Sequence, residues 1–246
     1  VSTSHSIFWK SLPLGKAVDL LISDPNGLAA FNKPAGILSH PNRGGEESRS
    51  LINAPYTLDG EFFLIPSGKK IWLLNRLDSA TSGVILVCSN ESLVKTIRAE
   101  FKKKTIFKRY LALVFGKPNK TSDTWRDRLA IEKKAGQIRT SSGHIPAEST
   151  MTLLNTKVSV TGPLSLIRLD PKTGRSHQLR VQCATRHLPI VGDQTYGDFT
   201  KNKQYAKNSG NKRLFLHSAE TKFTYEFSNK TYPFHAIAPM PDCFKA

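Results

Sequence analysis

One carboxylate, Asp78, lies in the polar stretch Asn75-Arg76-Leu77-Asp78-Ser79-Ala80-Thr81-Ser82-Gly83, between apolar residues 71–74 and 84–87. A loop between two buried strands can present a single acid to a cleft. The small residues Thr81, Ser82 and Gly83 let another backbone pass close by. A carboxylate in that setting suits general-base or nucleophilic chemistry. The commoner fate of a loop aspartate is a turn or a cap, and the segment alone does not choose between them.

Two further clusters carry chemistry-bearing side chains. Thr173-Gly174-Arg175-Ser176-His177-Gln178-Leu179-Arg180 packs two arginines, a histidine and a glutamine around a turn leading into a short helix. Guanidinium forks and exposed N–H groups suit phosphate and carboxylate binding. The same residues would also serve as a solvated basic turn. Lys108-Arg109-Tyr110 places an aromatic ring at the start of an apolar strand, just after the basic residues 102–104. A nucleobase can stack on such a ring, contributing about 1–3 kcal/mol, although a strand tyrosine is more often a half-buried core residue. His177 has no His, Cys, Asp or Glu companions at metal-ligand spacing. A G-x-S-x-G elbow, a Walker A loop, a dinucleotide fingerprint and a Cys-x-x-Cys pair are all absent, so hydrolase, ATPase, dehydrogenase and zinc-enzyme readings lose their usual support.

The chain that holds these clusters is strongly basic. Its 246 residues carry 36 Lys and Arg against 19 Asp and Glu, a formal charge of +17, which favours a polyanionic partner. Nucleic acid ranks ahead of an anionic membrane, because no basic amphipathic helix or lipid-anchor signal is present. The three cysteines, Cys88, Cys183 and Cys243, are widely spaced and suggest neither disulfides nor a zinc knuckle. With no apolar run near the roughly 18 residues of a membrane span and no secretory signal, a cytoplasmic location is expected.

The positioning elements are legible in outline. Residues 28–31 read as a strand running into the Asn32-Lys33-Pro34-Ala35-Gly36 turn. Residues 41–50, with Gly44-Gly45, read as an exposed loop of little order. Leu93, Val94, Ile97 and Phe101 recur at helical spacing behind a Ser89 or Asn90 cap. Residues 110–115 read as a strand, and 119–150 as short strands joined by exposed loops. Residues 151–160 and 164–169 suggest a hairpin across Thr161-Gly162-Pro163, with imperfect alternation. A short helix around Leu179 and Cys183 and closing strands at 214–216 and 223–227 complete the pattern. Strands outnumber helices, which predicts an α+β fold built on a mostly antiparallel mixed sheet with flanking helices.

In this order the motifs resemble the RluA/RsuA-type pseudouridine synthases, chiefly the RluA-like branch. Asn32-Lys33-Pro34-Ala35-Gly36 is similar to that family's early lysine-proline-x-glycine turn, and Arg76-Leu77-Asp78 with Thr81-Ser82-Gly83 to its catalytic segment. Lys108-Arg109-Tyr110 with Val114 and Gly116 is similar to its tyrosine strand, and residues 173–180 to its late arginine segment. Gly192-Asp193, Tyr196-Gly197 and Leu216-His217 continue the likeness. The resemblance implies a pseudouridine synthase-like core with a central catalytic cleft. It implies a catalytic domain at 25–240 made of two subdomains sharing one sheet, with an N-terminal extension at 1–24 and a C-terminal tail at 241–246. It further implies cofactor-free and metal-free isomerisation of uridine in RNA, ribosomal first and transfer second. Asp78 is the implied nucleophile or base, Tyr110 packs on the uracil, and Arg180 pairs with Asp78. Arg76, Arg175, His177, Gln178, Lys33 and Thr81 are the implied substrate contacts. Asn75 and Gln182 depart from the histidines common in the branch. No small N-terminal RNA-binding domain is evident before the core, so target choice is expected to rest on residues 102–104 and the 41–50 loop. No obligate protein partner is indicated and a monomer is expected. The competing expectation is an RNA-binding protein of the same fold that makes no product.

Overall fold

The computed structural model describes residues 3–134 and 137–245 and divides the chain into two units, residues 1–106 with 218–239, and residues 107–217 with 240–246. The first unit contains α1 (Thr3–Lys10), β1 (Asp19–Ser23), β2 (Leu28–Lys33), β3 (Tyr56–Thr57), β4 (Phe62–Leu64), β5 (Lys70–Leu73), β6 (Ser82–Cys88) and α2 (Glu91–Lys103). The second contains β7 (Phe107–Phe115), β8 (Ser122–Lys134), β9 (Gln137–Ser142), β10 (Ile145–Ser159), β11 (Gly162–Pro171), α3 (Gln178–Ala184) and α4 (Phe199–Ser209). Strand β12 (Leu216–Phe227) begins in the second unit and continues in the first, where β13 (Lys230–Ile237) returns against it.

In the first unit every residue of β6 is buried. That burial explains an unbroken apolar run where a half-exposed strand would alternate. β6 pairs antiparallel with β2 and with β5 and is flanked by β12. The close strand packing sets a requirement at Gly83. Its φ is +110°, and a Cβ there would fall 2.1 Å from the carbonyl oxygen of Ser218. Gly83→Ala is expected to cost at least about 2 kcal/mol, from left-handed backbone strain plus displacement of β12, read as a fall in the urea midpoint.

Helix α2 follows because its apolar residues fall on one face. Leu93, Val94 and Ile97 bury against Leu86, Cys88 and Phe223 of the sheet core. Asn90 Oδ1 accepts the Ser92 N–H at 3.2 Å at one end, and Lys104 adopts the left-handed conformation at the other. Residues 3–24, expected as an extension, pack onto this unit: β1 pairs with β2 and Trp9 is buried.

In the second unit the strands run β7-β11-β10-β8-β9, all antiparallel. The 119–150 stretch forms long strands, of 13 residues in β8 and 15 in β10, of which β10 takes the last six, where short ones were expected. Lys, Ser and Thr on the exposed face hide the period, while Trp125, Leu129, Ala147 and Met151 face inward. The imperfect alternation of residues 151–160 has a definite cause, a register shift between Leu153 and Asn155. Phe244, within the 241–246 stretch expected as a C-terminal tail, is buried in the core. Helix α4 and strand β13 lie in stretches that gave no clear periodic signal. Among the described residues no helix is long and apolar enough to cross a membrane.

Candidate active site

Asp78 is half-buried in the connection between β5 and β6, and the backbone around it is fixed from both sides. Ahead of it, Ser39 Oγ donates to the Leu77 carbonyl at 2.7 Å and accepts the Leu77 N–H at 3.0 Å. Behind it, the Ser79 carbonyl accepts from Gly36 N–H at 2.7 Å and from the Lys33 ammonium at 3.1 Å. The Thr81 N–H donates to the carbonyl of Asp78 itself at 3.0 Å, closing a turn. Asn75 Oδ1 accepts the Leu86 N–H at 2.7 Å, so the asparagine stands in for a strand partner.

Lys33 is fully buried, and its ammonium also donates to the carbonyls of Pro34 at 3.0 Å and Ile37 at 2.6 Å. A buried ammonium persists only when its donors are matched, and three carbonyls supply that match. Lys33 therefore ties the Pro34–Gly36 turn to the Asp78 loop. Lys33→Met is expected to cost about 2–3 kcal/mol by leaving buried carbonyls unsatisfied. A fall in the urea midpoint, together with reduced turnover, checks this.

The second unit holds the other motifs. Arg180, on α3, is buried, and its Nε and Nη2 donate to the two carboxylate oxygens of Asp193, each at 2.8 Å. Asp193 also accepts N–H bonds from Thr195 and Tyr196 at 2.8 and 3.0 Å. Burial alone would push the Asp193 carboxyl up. The bonds from Arg180, its charge and the two N–H groups outweigh that and hold it below the ordinary range. The guanidinium lies 5.2 Å from the Tyr196 ring centre, a cation–π distance. Asp193 is thus a member of the cluster to which sequence reasoning gave no role. Its only signal was the Gly192-Asp193…Tyr196-Gly197 pattern.

Between β11 and α3 the turn is cross-braced. Gln178 is buried; its Oε1 accepts from Thr173 Oγ1 at 2.7 Å and from the Arg175 N–H at 3.1 Å, while its Nε2 donates to the Glu148 carbonyl at 3.1 Å. His177 takes a left-handed φ of +54°, strain of about 1–3 kcal/mol for a residue with a Cβ. Its Nδ1 lies 2.9 Å from the Tyr196 hydroxyl, which also accepts the Thr140 N–H at 2.8 Å. Gln182, fully buried, receives a bond from Ser149 Oγ and donates to Asp127, fastening α3 onto β10 and β8. Tyr110, half-buried on β7, lies opposite Leu169 of β11.

Of the residues selected from sequence, Lys33, Arg76, Asp78 and Thr81 gather in the first unit, and Tyr110, Arg175, His177, Gln178 and Arg180 in the second. Arg76 is exposed, and Arg175 and His177 are half-buried. Lys33, Thr81 and Gln178 are buried, and Lys33 and Gln178 hold the backbone of their own loops. The 41–50 loop contains a short turn at Glu47–Arg49, and its ends are fastened where Leu38 N–H donates to Arg49 O and Leu51 N–H to Leu38 O. No group of three or more His, Cys, Asp or Glu that could hold a metal occurs among the described residues.

Comparison with known proteins identifies the family. Residues 27–185 match the family model described as RNA pseudouridylate synthase. The tRNA pseudouridine synthase C of Haemophilus ducreyi is 33% identical over 85% of this chain and 86% of its own length. The ribosomal large subunit pseudouridine synthase C of Vibrio vulnificus is 29% identical over 90% of this chain, which spans 66% of that relative. Among solved structures, human RNA Pseudouridylate Synthase Domain Containing 4 superposes with a TM-score of 0.66 over 98% of this chain and 94% of its own, at 20% identity. That likeness extends the fold to the whole chain. With a matched span covering well over half of its residues, the chain belongs to the RNA pseudouridylate synthase family.

Proposed function

We propose that this protein isomerises uridine to pseudouridine within structured RNA, with Asp78 as the carboxylate that begins the reaction. One observation carries the reading. In a chain of this family, Asp78 sits half-exposed in a loop whose backbone is fastened on either side by Ser39, Gly36 and Lys33. Such bracing holds a reactive group in one geometry, which an in-place rearrangement requires. The reaction detaches uracil from C1′ of its ribose, turns the base within the site and rejoins it through C5, whose proton then leaves. Asp78 opens the glycosidic bond, as a nucleophile on carbon or as a base toward the C2′ proton. Tyr110 holds the loose base by stacking. Arg180, its fork oriented by Asp193, is assigned a supporting role as a fixed positive charge in the reaction.

Neither a metal nor a coenzyme is assigned to the reaction. Ribosomal RNA is the first substrate proposed and transfer RNA the second, since the relatives' names divide between the two. Arg76 and Arg175 are proposed as RNA contacts, in keeping with the net charge of +17. The protein is proposed to act as a monomer in the cytoplasm, where the free thiols of Cys88, Cys183 and Cys243 would persist. Incubation with uridine-containing ribosomal and transfer RNA, followed by quantification of pseudouridine, tests the reading. RNA binding without product in either pool would leave the non-catalytic alternative in its place.

A further inference from the structure

Two exposed lysines near the β8–β11 sheet have an acid at hand. Lys172 pairs with Glu148 at 2.8 Å and Lys120 with Asp123 at 3.2 Å. Lys108 differs. It lies on β7, partly buried, and no carboxylate or hydrogen-bond acceptor among the described residues pairs with it. Desolvation alone holds its ammonium below the usual lysine range. An unpaired, partly dehydrated cation is costly in an otherwise well-satisfied fold unless a ligand completes it.

Its placement indicates which ligand. Lys108 and Tyr110 are two residues apart on one strand, so they share a face and stand about 7 Å apart. Arg109, between them, points to the other face, where its Nε meets Asp170 at 3.1 Å. The Lys108 ammonium lies against the turn that leads into α3: a Cβ on Gly174 would sit 3.5 Å from its Nζ. Arg175, the next residue along that turn, is partly exposed and carries a second positive charge.

We propose that Lys108 binds a backbone phosphate of the RNA next to the nucleotide whose base stacks on Tyr110. This inference deepens the proposed function and rests on it for the identity of the anion. An ammonium is a compact point charge suited to a phosphodiester oxygen. Its position one strand repeat from Tyr110 lets one face hold both the base and the adjoining backbone. Lys108 then contributes binding rather than proton transfer.

The test compares wild type, Lys108→Met and Lys108→Arg, using a short uridine-containing RNA hairpin for binding and ribosomal RNA for turnover. Binding is measured over a range of salt in an Asp78→Asn background, so that no product forms. Lys108→Met is expected to weaken binding and raise KM about tenfold, the effect of one charge-assisted contact. It should make the salt dependence of log Kd shallower by about 0.7–0.9, with kcat at saturating RNA within about twofold of wild type. Lys108→Arg should recover most of the affinity. The thermal midpoint of the methionine variant should be unchanged or higher, because an unpaired cation has been removed. An unchanged salt slope overturns the proposal, as does a loss of kcat with the slope intact, which would place Lys108 in the chemistry. If wild type makes no pseudouridine but the slope still shifts, the catalytic reading fails and the phosphate contact stands.

Discussion

Asp78→Asn is expected to lower pseudouridine formation by about a thousandfold, within the range seen when a catalytic acid or base is removed, while leaving the fold and RNA binding intact. The substitution is nearly isosteric. The bonds that shape the loop run through the backbone of Leu77, Asp78 and Ser79, and asparagine keeps all of them. Removing a negative charge from a protein of +17 should slightly strengthen RNA affinity. Asp78→Glu provides the sharper measurement. It keeps the charge but moves the carboxylate by about one bond length, and a misplacement of about 1 Å can cost on the order of a hundredfold. Product quantification over time at saturating RNA reads both effects. Turnover by Asp78→Asn near the wild-type rate would remove Asp78 from the chemistry.

The second large effect concerns Arg180 and Asp193. Replacing either partner alone strands a buried charge, so Asp193→Leu or Arg180→Met should each destabilise the protein by about 3–5 kcal/mol. The double variant should regain most of that stability, since a well-packed apolar pair of similar volume often replaces a buried ion pair without loss. It should nevertheless remain inactive, because the guanidinium is absent. Urea midpoints together with turnover separate the two quantities. Recovery of activity by the double variant would show that Arg180 serves the fold alone. The pair also sets a pH dependence. The Asp193 carboxyl is held low in the folded state, so its contribution is complete above the unfolded value of about 3.9. It disappears as pH falls through the lowered folded value. Stability lost on acidification below about pH 4 should be smaller in the double variant than in the native protein.

These expectations were legible in the sequence to different depths. The order of the motifs, the apolar run of β6, the amphipathic face and asparagine cap of α2 and the hairpin of β10 and β11 follow from local pattern, and the structure contains each of them. Local pattern failed where burial is lopsided. The long strands β8 and β10 have polar outward faces that read as loop, and α4 exposes most of its residues, so its period is faint. The N-terminal segment gave no strong signal either. Its pairing with β2 depends on a strand that only tertiary contact brings alongside.

By itself the sequence determined a basic α+β chain with an aspartate loop, an aromatic strand and an arginine turn in a family-specific order, because those properties reside in residue type and spacing. Tertiary structure decided what each polar side chain faces. Lys33 appeared from sequence as a ligand for RNA, and burial turns it onto three carbonyls that fix the Asp78 loop. Gln178 likewise braces its own turn. Arg180 meets Asp193, thirteen residues further along and in a different loop. Lys108, read from the sequence only as part of the basic run ahead of Tyr110, emerges as a cation without a carboxylate. The physical reason is common to all four. A charged or polar group takes its role from the partners that replace its lost water, and those partners are chosen by the folded chain in space.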